Sequence, residues 1–138
     1  MSDNYLLLYT GEQVDARLET PLPVASGGTG QTTAYQNVAL TPDTATAAIQ
    51  EYKCRYNPYL GIVFFRGWCK LTSASAAGTW FNVATIPSGY RPASNAAFTV
   101  SVPGGGSGLV ETSGNIRMRT YTARAVDTNI DFSGWWFV

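Results

Sequence analysis

The sequence predicts an all-β chain: a small, jelly-roll-like antiparallel β-sandwich carried behind a short N-terminal strand and helix. Three observations lead there. From residue 51 onward, apolar or alternating runs are broken about every ten residues by Gly, Pro, Asn and Ser clusters, the spacing of short strands joined by tight turns. No helical segments alternate with those runs, which excludes a parallel sheet built from crossover helices. The chain of 138 residues, 45% of them hydrophobic, has room for one domain plus a short extension and can bury a core without metals or disulfides.

Three segments follow: an anchor at residues 1–20, a junction at 21–50 and a knob at 51–138. In the anchor, Tyr5, Leu6, Leu7, Leu8 and Tyr9 form an apolar run that must dock on something. Thr10 and Gln13 then fit a capping box, which starts a helix over residues 11–19. That helix places Val14 and Leu18 on one face, and Pro21 and Pro23 forbid its extension. A helix this short does not persist alone, because nucleation is costly and few hydrogen bonds follow. Packing against symmetry mates or a partner must hold it.

In the junction, Gly27, Gly28 and Gly30 stand among small hydroxyl residues, leaving the backbone free for φ > 0 and for close approach of several chains. A phosphate loop would need Lys after its last glycine, and Gln31 stands there instead. Thr and Ala dominate residues 34–50, with a turn at Pro42-Asp43.

The knob reads as strand after strand. Residues 51–56 form a short strand, 57–61 a loop, and 62–71 a long strand broken by Gly67. Residues 79–86 follow, then a turn-rich corner at 87–92, a strand at 96–102 and a second glycine loop at 103–108. Residues 109–112 lead into Ser113-Gly114-Asn115, which has the chemistry of a tight hairpin, and 116–121 return beside them. The last strand, 128–138, carries Trp135-Trp136-Phe137-Val138. Four large apolar residues require that it end in a core or at a subunit seam.

Composition narrows the function. Nine Lys/Arg balance nine Asp/Glu, whereas nucleic-acid binding needs a basic face. So low a charge fits a subunit that buries surface against copies of itself. No apolar run is long enough for membrane insertion, and the N-terminus lacks the basic and apolar regions of a signal peptide, so synthesis and folding in a cytosol are expected. Cys54 and Cys69 are then free thiols in the core. With no histidine, neither a Ser-His-Asp nor a Cys-His site can be built. The carboxylates Glu51, Glu111, Asp127 and Asp131 are scattered over separate strands and loops. No catalytic pair, no metal site and no cofactor are expected.

What remains is a binding surface. Sugar rings stack on exposed aromatic faces, so Tyr59 and Tyr90 in loops and Tyr121 at a strand end are receptor-binding candidates. Arg117 and Arg119 alternate with Ile116 and Met118, which turns both arginines away from the core and adds them to the candidates. Trp68, Trp80, Trp135 and Trp136 fall within strands and are expected in the core.

Two stretches carry a resemblance. Residues 23–34, with Pro23, Gly27-Gly28-Thr29-Gly30 and Thr32-Thr33-Ala34, resemble the Pro-x-x-x-Gly-Gly-Thr-Gly-x-Thr-Thr-Ala motif of bacteriophage tail fibres. There it joins an attachment region to a distal β-structured tip. Residues 61–67, the corner Ile86-Pro87-Ser88-Gly89-Tyr90-Arg91-Pro92 and the Gly114-Asn115-Ile116 hairpin look like the C-terminal knob of phage tail-fibre and baseplate proteins. The resemblance implies a non-enzymatic, homotrimeric virion protein on the outside of the particle. Its N-terminus would dock on another virion protein, and its knob would bind a host surface glycan or protein. A head fibre or capsid decoration protein of the same design is the alternative, and neither heptads nor collagen repeats supply a shaft.

Overall fold

The computed structural model describes residues 35–138, and these form an antiparallel β-sandwich. The anchor residues Tyr5, Leu6, Leu7, Leu8, Tyr9, Val14 and Leu18, the capped helix and the Gly27–Gly30 junction all lie outside the described residues. Nine strands run in chain order: β1 (Gln36–Asn37), β2 (Thr41–Pro42), β3 (Ala47–Asn57), β4 (Ile62–Leu71), β5 (Phe81–Thr85), β6 (Ala96–Ser101), β7 (Gly106–Val110), β8 (Asn115–Thr120) and β9 (Asn129–Phe137). Their spatial order is β1-β3-β4-β9-β6-β7-β8-β5-β2. Within it, β6, β7 and β8 are consecutive hairpin strands and β5 returns beside β8, a Greek key.

β6 belongs to both layers. Its C-terminal half pairs with β9, Thr99 opposite Ser133 and Ser101 opposite Asp131. Its N-terminal half pairs with β7, Ala96 opposite Val110 and Phe98 opposite Gly108. The strand therefore leaves one sheet for the other at Phe98–Thr99, as strands do at sandwich corners. Glycine makes this possible: a Cβ at Gly108 would overlap the Phe98 ring, and one at Gly134 would lie 2.5 Å from the Phe98 Cβ.

One core fills the space between the layers. Alternation along each strand supplies it: Val63, Phe65, Cys69 and Leu71 from β4, Ile130, Phe132 and Trp136 from β9, and Ile116 and Met118 from β8 are all buried. Phe65 is the hub of an aromatic cluster, 4.9 Å from Phe98 and 5.3 Å from both Phe132 and Trp136 between ring centroids. The polar pair in this interior is Ser75 and Thr120, whose hydroxyls satisfy one another at 2.9 Å.

Residues 36–50, placed in the junction by composition, are part of the sandwich. They carry β1, β2 and the start of β3. The segment from Gln36 to Pro42 crosses from the β3 margin to the β5 margin and buries Val38 and Leu40 on the way. Its backbone is held at both ends, by the Val38 N–H on the Cys54 carbonyl at 2.9 Å and the Asp43 N–H on the Val83 carbonyl at 2.9 Å. Two-residue strands of Gln, Asn, Thr and Pro give no periodic signal, so composition alone assigned them to a linker.

The turns behave as their residues dictate. Gly114 (φ +95°) closes the expected hairpin, its N–H donating to the Glu111 carbonyl. The glycine stretch at 103–108 is a tight turn rather than a long loop. Pro103 and Gly104 (φ +86°) occupy its centre, the Gly105 N–H reaches the Val102 carbonyl at 2.8 Å, and β7 begins at Gly106. In the corner at 86–92, the Arg91 Nε donates to the Ile86 carbonyl at 3.0 Å, and the Trp136 indole N–H donates to the Tyr90 carbonyl at 2.8 Å. Gly67 does not break β4, contrary to the sequence expectation. The strand is continuous, the register shift at this level lies in β3 between Ile49 and Glu51, and a glycine stands here because the Glu51 carbonyl and the Phe132 ring occupy the space a side chain would need.

Candidate functional site

The outer face of β3, β4 and β9 is a ladder of aligned rows. In one row Arg55, Phe64 and Trp135 stand side by side. The next row holds Lys53, Arg66, Ser133 and Thr99, and the one beyond it Glu51, Trp68, Asp131 and Ser101. Rows on one face of a strand lie about 7 Å apart. In β4, β6 and β9 these residues adjoin buried ones of the opposite parity and so point to solvent, and cross-strand pairing puts Glu51, Lys53 and Arg55 of β3 on the same face.

A groove of about 750 Å³ opens on this face where β6 swings away from β9. Beyond the Thr99–Ser133 pair the two strands part, and the cleft between Ala97 and Trp135 reaches down to Phe65, Phe98 and Gly134. Tyr35, Phe64 and Trp135 form its aromatic walls, exposed by 45%, 40% and 53%. Tyr35 meets Phe64 edge-on at 6.2 Å, and Trp135 meets the exposed Phe137 edge-on at 5.3 Å. Lys53, Arg55 and Arg66 supply the charge of the groove. Their side chains make no ion pair or hydrogen bond among the described residues.

Such a surface has a definite chemical competence. Fixed aromatic faces stack on the apolar side of a sugar ring, the hydroxyls of Ser133 and Thr99 exchange hydrogen bonds with its substituents, and the cations bind an anionic group. Phe65 and Phe98, packed against each other in the core, close the floor of the groove, and the sheet backbone holds the rows in register before any ligand arrives.

Tyr121, Arg117 and Arg119 are brought together elsewhere, on the outer face of β8. Arg119 lies over the Trp80 ring at 4.7 Å and over Tyr121 at 5.6 Å, and its Nε donates to the Ser107 hydroxyl at 2.8 Å. Arg117 lies 5.8 Å from the same indole and pairs with Glu111 at 3.5 Å. The guanidinium groups point away from the core, as their alternation with Ile116 and Met118 requires, and they are already engaged by their neighbours.

Tyr59 sits apart from both clusters at the tip of the β3–β4 hairpin, 64% exposed, with its N–H capped by the Asn57 side chain at 2.9 Å. Tyr90 is half-buried, edge-on to Tyr56 at 5.3 Å, with its hydroxyl donating to Gln36 at 3.4 Å.

Two sequence expectations need correction. Of the four tryptophans expected in the core, only Trp136 is buried. Trp135 is exposed, and Trp68 and Trp80 are half-buried. The last strand does enter the core, but only on alternate residues, so Phe137 is exposed with Trp135, and Val138, just past the strand's end, is exposed as well. The carboxylates do lie on separate strands and turns, although Glu51 of β3 and Asp131 of β9 share one row on either side of Trp68, about 10 Å apart at the backbone by two strand spacings.

Cys54 and Cys69 are free and buried. Burial pushes both thiols up to about 12, and the Asp131 charge adds to the effect at Cys69. Neither takes part in the groove chemistry.

Sequence reasoning missed Tyr35, Lys53, Arg55, Phe64, Arg66 and Trp135. Parity was the available signal. Asp131, Ser133 and Trp135 share one parity while Ile130, Phe132 and Trp136 share the other, which turns Trp135 out with the polar residues. Likewise Phe64 shares its parity with Arg66. Comparison with protein-family models, with curated proteins and with solved structures finds no match.

Proposed function

We propose that this chain is a non-enzymatic virion fibre protein, a homotrimer carried on the particle by its N-terminal residues 1–20, whose sandwich binds glycan on the host surface. The observation that carries the binding role is the groove, where Tyr35, Phe64 and Trp135 stay exposed beside cations that pair with no carboxylate among the described residues. Soluble domains seldom leave contiguous large aromatic side chains in water, and such patches mark binding surfaces. The junction and corner motifs of the sequence support the virion assignment.

The test joins location to binding. Antibody against this protein, imaged on particles by electron microscopy, is expected to label an external appendage, and light scattering of the purified chain to report three copies. The purified protein is expected to bind cells of the propagating strain, and Trp135→Ala to abolish that binding. Label on the capsid shell would transfer the reading to a head fibre. No binding of the wild-type protein to those cells would refute the adsorption role.

A further inference from the structure

We propose that the groove selects an acidic saccharide, one that carries a carboxylate directly on its pyranose ring; this rests on the glycan-binding reading of the same groove. Lys53 and Arg66 are direct cross-strand partners, both exposed. Like charges placed opposite one another destabilise a sheet, and here the next cation, Arg55, stands on the same face one row away. The two carboxylates of this face, Glu51 and Asp131, lie in the row on the far side, beside Trp68, and neither forms an ion pair with these cations among the described residues. The cations are thus left open on the side that faces Phe64 and Trp135. An anion from outside the domain is the missing partner.

The spacing defines where that anion sits on its carrier. A ring stacked on the Phe64–Trp135 row is about 7 Å from the Lys53–Arg66 row. Lys and Arg side chains are about as long as this spacing, so their charged ends can lean over to the ring and meet a carboxyl group bonded to it through charge-assisted hydrogen bonds of about 2.8 Å. Arg55, beside Phe64 in the aromatic row and on the same strand face as Lys53, adds a third cation to the lining. Glu51 and Asp131 then limit the charge of the ligand, since a polyanion extended along the strands would run into them. A single acidic sugar flanked by neutral ones fits this order of aromatic, cationic and acidic rows, with the carboxylates accepting hydrogen bonds from the neutral hydroxyls.

The test uses the full-length protein on an array of glucuronate-, galacturonate- and sialate-bearing oligosaccharides, each beside its carboxyl-reduced counterpart. Binding to at least one acidic glycan is expected, with loss on carboxyl reduction. Arg66→Gln and Lys53→Gln are each expected to weaken that binding by about ten- to a hundredfold while leaving the fold intact by circular dichroism. Either substitution is also expected to raise the melting temperature slightly, since it removes the cross-strand repulsion, a change that a merely structural role would not give.

No binding to any acidic glycan, or equal binding to reduced and acidic forms, overturns the inference. If equal binding is still lost in Trp135→Ala, the glycan reading survives and only the charge selectivity fails. If the glutamine variants instead change the oligomeric state, the cations pair with a carboxylate of a second copy and the inference is overturned.

Discussion

Trp135 and Trp136 are adjacent residues with opposite fates, and truncating each to alanine tests the parity on which the groove depends. Trp136 is 3% exposed, packs 5.3 Å from Phe65 and donates its indole N–H to the Tyr90 carbonyl at 2.8 Å. Removing such a side chain costs about 3–5 kcal/mol in transfer and cavity terms, and the abandoned carbonyl adds about 1 kcal/mol. Domains of this size have about 5–15 kcal/mol in all, so Trp136→Ala removes about a quarter of the stability or more.

The expected fall in melting temperature is about 15–50 °C, at roughly 4–8 °C per kcal/mol for a domain near one hundred residues. Trp135→Ala leaves the core untouched and is expected to cost less than about 1 kcal/mol. Urea titrations of both variants, followed by circular dichroism at two protein concentrations, separate core packing from association. Equal destabilisation by the two substitutions would refute the reasoning, because Trp135 would then be covered, by another copy or another segment, and could not wall an open groove.

The two thiols are expected to resist alkylation at pH 8 in the folded protein and to react only on unfolding, which mass spectrometry after iodoacetamide would read. Because their folded values are raised from 9.0 to about 12, the associated stability is fully present below pH 9 and is lost as pH rises from there towards 12, measurable as a falling melting temperature. Ser75→Ala strands the Thr120 hydroxyl in the core and is expected to cost about 1–3 kcal/mol. Adding Thr120→Val should recover part of that loss, and a strictly additive double variant would show that the hydroxyls do not interact. Gly67→Ala is expected to destabilise by about 1–3 kcal/mol through overpacking against the Glu51 carbonyl and the Phe132 ring. A neutral effect in urea would mean the strands have room to part.

The sandwich was legible because its turns are chemically explicit. Pro103-Gly104-Gly105 and Ser113-Gly114-Asn115 can hardly be anything but turns, and the strands between them alternate well enough to sort Ile116 and Met118 from Arg117 and Arg119. Residues 36–50 were not legible. Their contribution is three buried side chains, Val38, Leu40 and Ala47, and backbone hydrogen bonds to strands that come later in the chain. Such long-range partners leave no periodic trace. The groove was hidden for a related reason: its aromatic residues adjoin core residues in the sequence, Phe64 beside Phe65 and Trp135 beside Trp136. A run of like residues masks alternation until the partner strands fix which parity faces in.

The segment from Gln36 to Pro42 carries a further consequence. A sandwich ordinarily ends in strands whose outer amides and carbonyls can template pairing with any similar chain. Here both ends of the strand order are two-residue strands of one continuous segment, and one of them contains Pro42, which has no N–H to offer. The cover is partial, however: β1 pairs only with Arg55 and Tyr56 of the eleven-residue β3, and among the described residues no strand pairs with the rest of that margin. Protection there falls to side chains, and the charged Glu51 and Lys53 along that stretch are what discourages a neighbouring chain from pairing with it.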